Sequence, residues 1–180
     1  MPRQYPYVVA SLPALQFGEE PPMTAGELLE YCAELVQTDD LARVRLVIEG
    51  RLDELREPAV HGFAQRDIQL RNAVARQRAG RVGVDSARFL RRHDGWDVEI
   101  EDTATQAMSI IDPLERELLL DRLRWRLLEE MAADPAFGVQ ALYSYALRLR
   151  LLEKWQRLTD ERGTAVAEQI IDSNIAEISV

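Results

Sequence analysis

Two histidines, one cysteine and a few acidic pairs are the residues of this sequence whose chemistry could go beyond folding. His61 and His93 stand alone, with no second histidine or cysteine at ligand spacing, so they are expected to be surface or half-buried imidazoles and not metal ligands. Cys32 falls on the apolar stripe of a helix, where a free thiol behaves as a small hydrophobe and not as a nucleophile. Gly80-Arg81-Val82-Gly83 lacks the length, the lysine and the following hydroxyl of a phosphate-binding loop. Two glycines there read as a helix terminus. The acidic pairs Glu19-Glu20, Asp39-Asp40 and Glu129-Glu130 are expected at helix caps or on exposed faces. No Gly-x-Ser-x-Gly, His-Glu-x-x-His or dinucleotide fingerprint occurs. The expectation is a protein that is not an enzyme, with no catalytic residue, no cofactor and no metal site.

Charge offers the other chemistry. The net charge is −9, which argues against general affinity for nucleic acid or anionic membranes. Its distribution is uneven. Arginines 66, 71, 76, 78, 81, 88, 91 and 92 face only Asp67 and Asp85 between them, a local +6 against −15 elsewhere. Arginine suits protein contacts, because its planar fork binds carboxylates bidentately and its guanidinium is weakly hydrated. Arg71, Arg76, Arg78 and Arg81 are therefore expected to form part of a partner-binding surface. Two rival readings use the same charge: a helical nucleic-acid-associated protein working through residues 66–92, or a generic protein-binding adaptor. The first is disfavoured because basic and aromatic residues do not interleave and the overall charge is repulsive.

These residues need elements to hold them. Tyr5 to Pro13 is apolar and β-branched with prolines near both ends, which predicts an extended segment packed on the core. Thr24-x-x-Glu27 has capping-box spacing, and Leu28, Leu29, Cys32, Leu35 and Val36 follow as one helical stripe. From Asp39 to Glu57, Leu41, Val44, Ile48, Leu52 and Leu55 share a face, weakened at Gly50 and stopped by Pro58; a short strand around Val44, Leu46 and Ile48 is the lesser alternative. The arginine-rich stretch from Phe63 to Arg81 reads as a helix ended by Gly80 and Gly83, and residues 84–101 as a short helix plus a loop.

Later on, Asp112-Pro113-Leu114-Glu115 supplies a cap, a first-turn proline and an early acid. The helix after it carries Leu118, Leu119, Leu123, Trp125, Leu127, Leu128 and Met131. Asp134-Pro135 opens another, apolar nearly all round through Phe137, Leu142, Tyr145, Leu149 and Trp155, which must be buried or embraced by a partner. A last helix is expected past Gly163 through Val166, Ile170 and Ile171. Single loops between these helices predict antiparallel packing. Trp125 and Trp155 are expected in the core.

The fold class is thus all-α, an antiparallel helical bundle with a short extended N-terminal segment or none. A chain of 180 residues with 47% apolar and 29% charged residues fits one domain, with an N-terminal lobe over about 1–100 and a C-terminal helical lobe over about 101–180. One cysteine excludes an internal disulfide and fits a reducing, cytoplasmic setting. The longest uncharged stretch, Gln4 to Gly18, is 15 residues and broken by Pro6 and Pro13, too short to span a membrane and a poor signal peptide. Membrane association is expected only through partners.

Tyr7-Val8-Val9-Ala10-Ser11-Leu12-Pro13, with Leu15, Phe17 and Pro21-Pro22, resembles the start of a bacterial family of unassigned function encoded beside V/A-type ATPase genes. That family looks like a reduced relative of the C-type socket component of the V-type ATPase (the d component in eukaryotes). Asn72 with Arg76, Arg78, Gly80, Arg81 and Gly83 resembles its arginine-rich helix. Asp112-Pro113-Leu114-Glu115, Arg124-Trp125, Leu128, and then Tyr145, Leu149, Leu152, Glu153, Trp155 and Gly163 resemble its later helices. The resemblance runs in order through almost the whole chain. It implies a helical, non-catalytic socket that links the central stalk to the membrane rotor ring on its cytoplasmic side, with V/A-type ATPase central stalk and membrane ring subunits as partners. The full-length socket component is markedly longer, usually three similar helical lobes, so this chain would supply only part of such a socket.

Overall fold

A computed structural model describes residues 3–133 and 136–158. Among them are seven α-helices and no strand: α1 (Pro6–Ser11), α2 (Ala25–Ala33), α3 (Thr38–Glu49), α4 (Pro58–Val82), α5 (Val98–Ser109), α6 (Pro113–Ala133) and α7 (Val139–Arg157), with 3-10 turns at Leu52–Glu54 and Ala87–Phe89. The all-α class read from the sequence is the one observed.

The boundaries follow local chemistry. Thr24 and Glu27 close a reciprocal capping box on α2, the Glu27 amide donating to the Thr24 hydroxyl at 3.2 Å and the Thr24 amide to Glu27 Oε2 at 2.7 Å. Gly50 adopts φ 79°, a left-handed conformation that ends α3 where the sequence suggests only a weak spot. Gly83 ends α4 in the same way at φ 71°, whereas Gly80 lies within the helix. Pro58 is the first residue of α4, where a missing N–H costs nothing.

Three expectations are corrected. Most of the N-terminal segment is the helix α1 and not extended: Pro6 sits at its first turn, Ser11 Oγ donates back to the Tyr7 and Val8 carbonyls, extended backbone resumes at Leu12, and a single β-bridge joins Gln4 to Gly138. Residues 84–101 are mostly a crossover, and a full helix, α5, starts at Val98 behind an Asp97 cap whose carboxylate accepts from the Glu99 amide at 3.0 Å. Phe137 is exposed and α7 opens at Gly138, not as a core residue inside a helix begun earlier. The Asp134-Pro135 start and the helix through Val166, Ile170 and Ile171 lie outside the described residues.

Helix α7 is the axis of the fold. Val139 to Leu147 are all buried, so its all-round apolar character is satisfied internally, by α2, α3, α4 and α6. Glu153 near its end also accepts from the Ala25 amide at 2.7 Å, stabilising the first turn of α2. Contacts fix the directions. Leu128, Trp125 and Asp121 on α6 meet Ser144, Arg148 and Trp155 on α7, so this pair is antiparallel, as expected for the later helices. In contrast, Gln69, Arg76 and Arg81 on α4 meet Asp97, Glu101 and Met108 in rising order. Helices α4 and α5 are therefore parallel, and the crossover 83–97 must run back along α4. One core continues from Tyr5 to Leu149.

Candidate docking groove

The site is built from α4 outward. Two buried amides on α4 hold the returning crossover: Asn72 accepts from the Arg91 amide at 3.0 Å and donates to the Arg91 carbonyl at 2.7 Å. Gln69 does the same with Asp97, at 3.0 and 2.8 Å. Each amide meets a backbone donor and acceptor together, as a buried polar group must. The crossover thereby brings Val84, Arg88 and Phe89 beside the C-terminal part of α4, opposite α6.

Between them lies an open groove of about 600 Å³. Its α4 wall is Arg71, Val74, Ala75, Arg78, Ala79 and Val82, a face repeating every three or four residues. Val84 and Phe89 continue the apolar surface, and Leu120 on α6 forms the far wall. Val82 is 74% exposed and Phe89 51% exposed, so large apolar side chains meet water here.

The sequence groups Arg71, Arg76, Arg78 and Arg81 as one stripe; the structure separates them. Arg76 faces α5, forming two hydrogen bonds to the Glu101 carboxylate at 2.8 and 2.7 Å and lying 5.8 Å from the Trp96 ring. Arg81 donates to the Met108 carbonyl at the end of α5, where a cation suits the helix dipole. Both brace helices. Arg71 and Arg78, two helical turns apart, share the groove. Arg71 is paired with Asp67 at 2.7 Å. Arg78 makes no ion pair or hydrogen bond among the described residues, nor does Arg88, which lies over the Phe89 ring at 4.6 Å.

Behind the groove runs a partly buried charge network, centred on Asp121, that sequence reading missed. Arg124 bridges Asp67 at 2.9 Å and Asp121 at 2.6 Å, while Lys154 reaches Asp121 and Glu117 at 2.6 Å each. Trp155 Nε1 donates to Asp121 at 3.0 Å. Asp121 is fully buried. Burial works against the Arg124 charge, yet the carboxylates of Asp67 and Asp121 outweigh it and push its pKa upward. Trp155 is only partly buried, a correction to its expected place in the core; Trp125 is buried, edge-on to Phe17. The one sequence signal for Asp121 is an acid set inside a leucine stripe.

Asp40 is a second correction. Expected at a cap or on an exposed face, it is buried and accepts from Tyr5 Oη at 2.5 Å and Arg43 at 2.7 Å. Cys32 is buried, and burial pushes its thiol up to about 11. His61 is exposed, 3.9 Å from Asp94, and His93 half-buried. Among the described residues no group of three or more His, Cys, Asp or Glu side chains could hold a metal ion, and no helix is long and apolar enough to cross a membrane.

The family described as "Protein of unknown function (DUF2764)" matches residues 98–178. The match takes in the α6 wall of the groove and leaves the arginine-bearing α4 wall outside. No curated protein and no solved structure matches the chain.

Proposed function

We propose that this chain is a non-catalytic docking protein, a reduced C-type part of the socket that joins the central stalk of a bacterial V/A-type ATPase to its membrane rotor ring. One observation carries the docking reading: an apolar groove bearing two guanidinium groups, Arg78 and Arg88, unpaired among the described residues, on a body in which ion pairs tie α4 to α5 and α6, and α6 to α7. An exposed apolar patch edged by charge is the usual mark of an interaction surface. The ATPase setting rests on the ordered resemblance from Tyr7 to Gly163, and membrane association in this reading is indirect, on the cytoplasmic face.

A socket must keep its shape under load. The Asp67–Arg124–Asp121–Lys154 network joins α4, α6 and α7, and breaking a pair at the fully buried Asp121 costs more than breaking an exposed one. The nucleic-acid alternative loses support, because Arg76 and Arg81 serve the fold. Purified full chain mixed with purified stalk–ring complex should co-elute on gel filtration. Separate elution at micromolar concentrations of both would sink the ATPase assignment.

A further inference from the structure

The groove's own geometry narrows its occupant, on the premise that the docking reading holds. Helices pack by seating side-chain ridges in grooves formed by residues three and four apart. The α4 wall, Arg71 to Val82, offers such a row over three turns, about 16 Å of helix at 1.5 Å per residue. Open on one side, the groove resembles a helix seat more than an enclosing small-molecule cavity, which would bury most of its ligand. Its charges set the sign. Glu117 is held by Lys154 and Arg124 by Asp67 and Asp121, which leaves Arg78 on α4 and Arg88 on the crossover uncompensated in the groove lining. Arg71, one heptad before Arg78, has a side chain 64% exposed and can turn from Asp67 toward a new carboxylate.

We infer that the groove between α4, the crossover and α6 receives an acidic amphipathic helix of a partner protein, its apolar stripe on Val82, Val84, Phe89 and Leu120 and its carboxylates against Arg78 and Arg88. Carboxylates one heptad apart would meet Arg71 and Arg78 together. Paired guanidinium–carboxylate contacts add geometric specificity to the apolar burial.

The test uses isotope-labelled full chain and a synthetic three-turn peptide with a leucine stripe flanked by glutamates one heptad apart, beside a twin carrying lysines instead. Amide shifts should cluster at Ala79, Val82, Val84 and Phe89, and the glutamate peptide should bind about tenfold or more tightly than its twin, with the difference shrinking in salt. Arg78→Glu with Arg88→Glu should reverse that order in a chain of unchanged helix content, since neither side chain braces the fold. Equal binding of the twins, unaltered preference in the double variant, or shifts centred elsewhere would each overturn the inference. So would a groove already filled in the free chain, by a second copy or by its own residues 159–180, detected as cross-links from Cys introduced at Val82. Co-elution with the stalk–ring complex that survives the double charge reversal would remove this groove while leaving the docking function standing.

Discussion

Asp121 and Cys32 show what a single side chain does here. A carboxylate with no exposure is tolerable only because Arg124, Lys154 and the Trp155 indole surround it. Asp121→Ala leaves two cations sharing a partly buried site without their common partner, and is expected to destabilise the fold by about 3–5 kcal/mol, measured by urea unfolding. A loss below about 1 kcal/mol would mean that water already reaches the site. Cys32 reports burial through pH. Its thiol titrates at about 11 in the fold against an ordinary 9.0. The folded state therefore holds the proton more tightly, and the stabilisation is complete below pH 9 and lost as pH rises toward 11. Buried Tyr145, pushed from 10.0 to about 12, acts in the same direction. The melting temperature should fall through that window, less steeply in Cys32→Ala, and iodoacetamide should spare the folded thiol at about pH 8. Parallel curves for the two proteins would place Cys32 outside the core.

At the scale of elements, helices with a strong stripe and a cap are legible: α2 by its capping box, α6 by Asp112-Pro113, α7 by apolar residues all round. The α5 signal is present too, in Asp97 as cap and Ile100, Ala104, Ala107 and Met108 at helical spacing, but it is submerged in the charged stretch before it. What local pattern could not give is the parallel run of α4 and α5, because that depends on Gln69 and Asn72 finding the crossover backbone some twenty to thirty residues away. Local rules also misplace Asp40 and Arg76, whose partners, Tyr5 and Glu101, are distant in sequence. The prediction at this scale is that Asn72→Ala, which removes both hydrogen bonds from a buried amide to the Arg91 backbone, costs about 1–2 kcal/mol and speeds amide exchange at Arg91 while sparing α7. Unchanged exchange at Arg91 would mean the crossover is held by other contacts.

For the whole molecule, the basic segment divides into arginines that build the fold, Arg76 and Arg81, and arginines such as Arg78 and Arg88 that make no hydrogen bond or ion pair among the described residues. Arg76→Glu with Arg81→Glu should lower the melting temperature, since it sets like charge against Glu101 and removes the cation at the end of α5. Arg78→Glu with Arg88→Glu should leave it within a degree or two, because exposed unpaired charges contribute little. Equal effects of the two pairs in calorimetry would erase the division. The surface that remains is what the docking account depends on. Its most direct test is affinity purification of tagged full chain from its native host at low and moderate salt, with co-purifying proteins identified by mass spectrometry. The account predicts ATPase central-stalk and rotor-ring subunits at levels comparable to the chain itself. Recovery of the chain without ATPase subunits, while those subunits are present in the same cells, would contradict it.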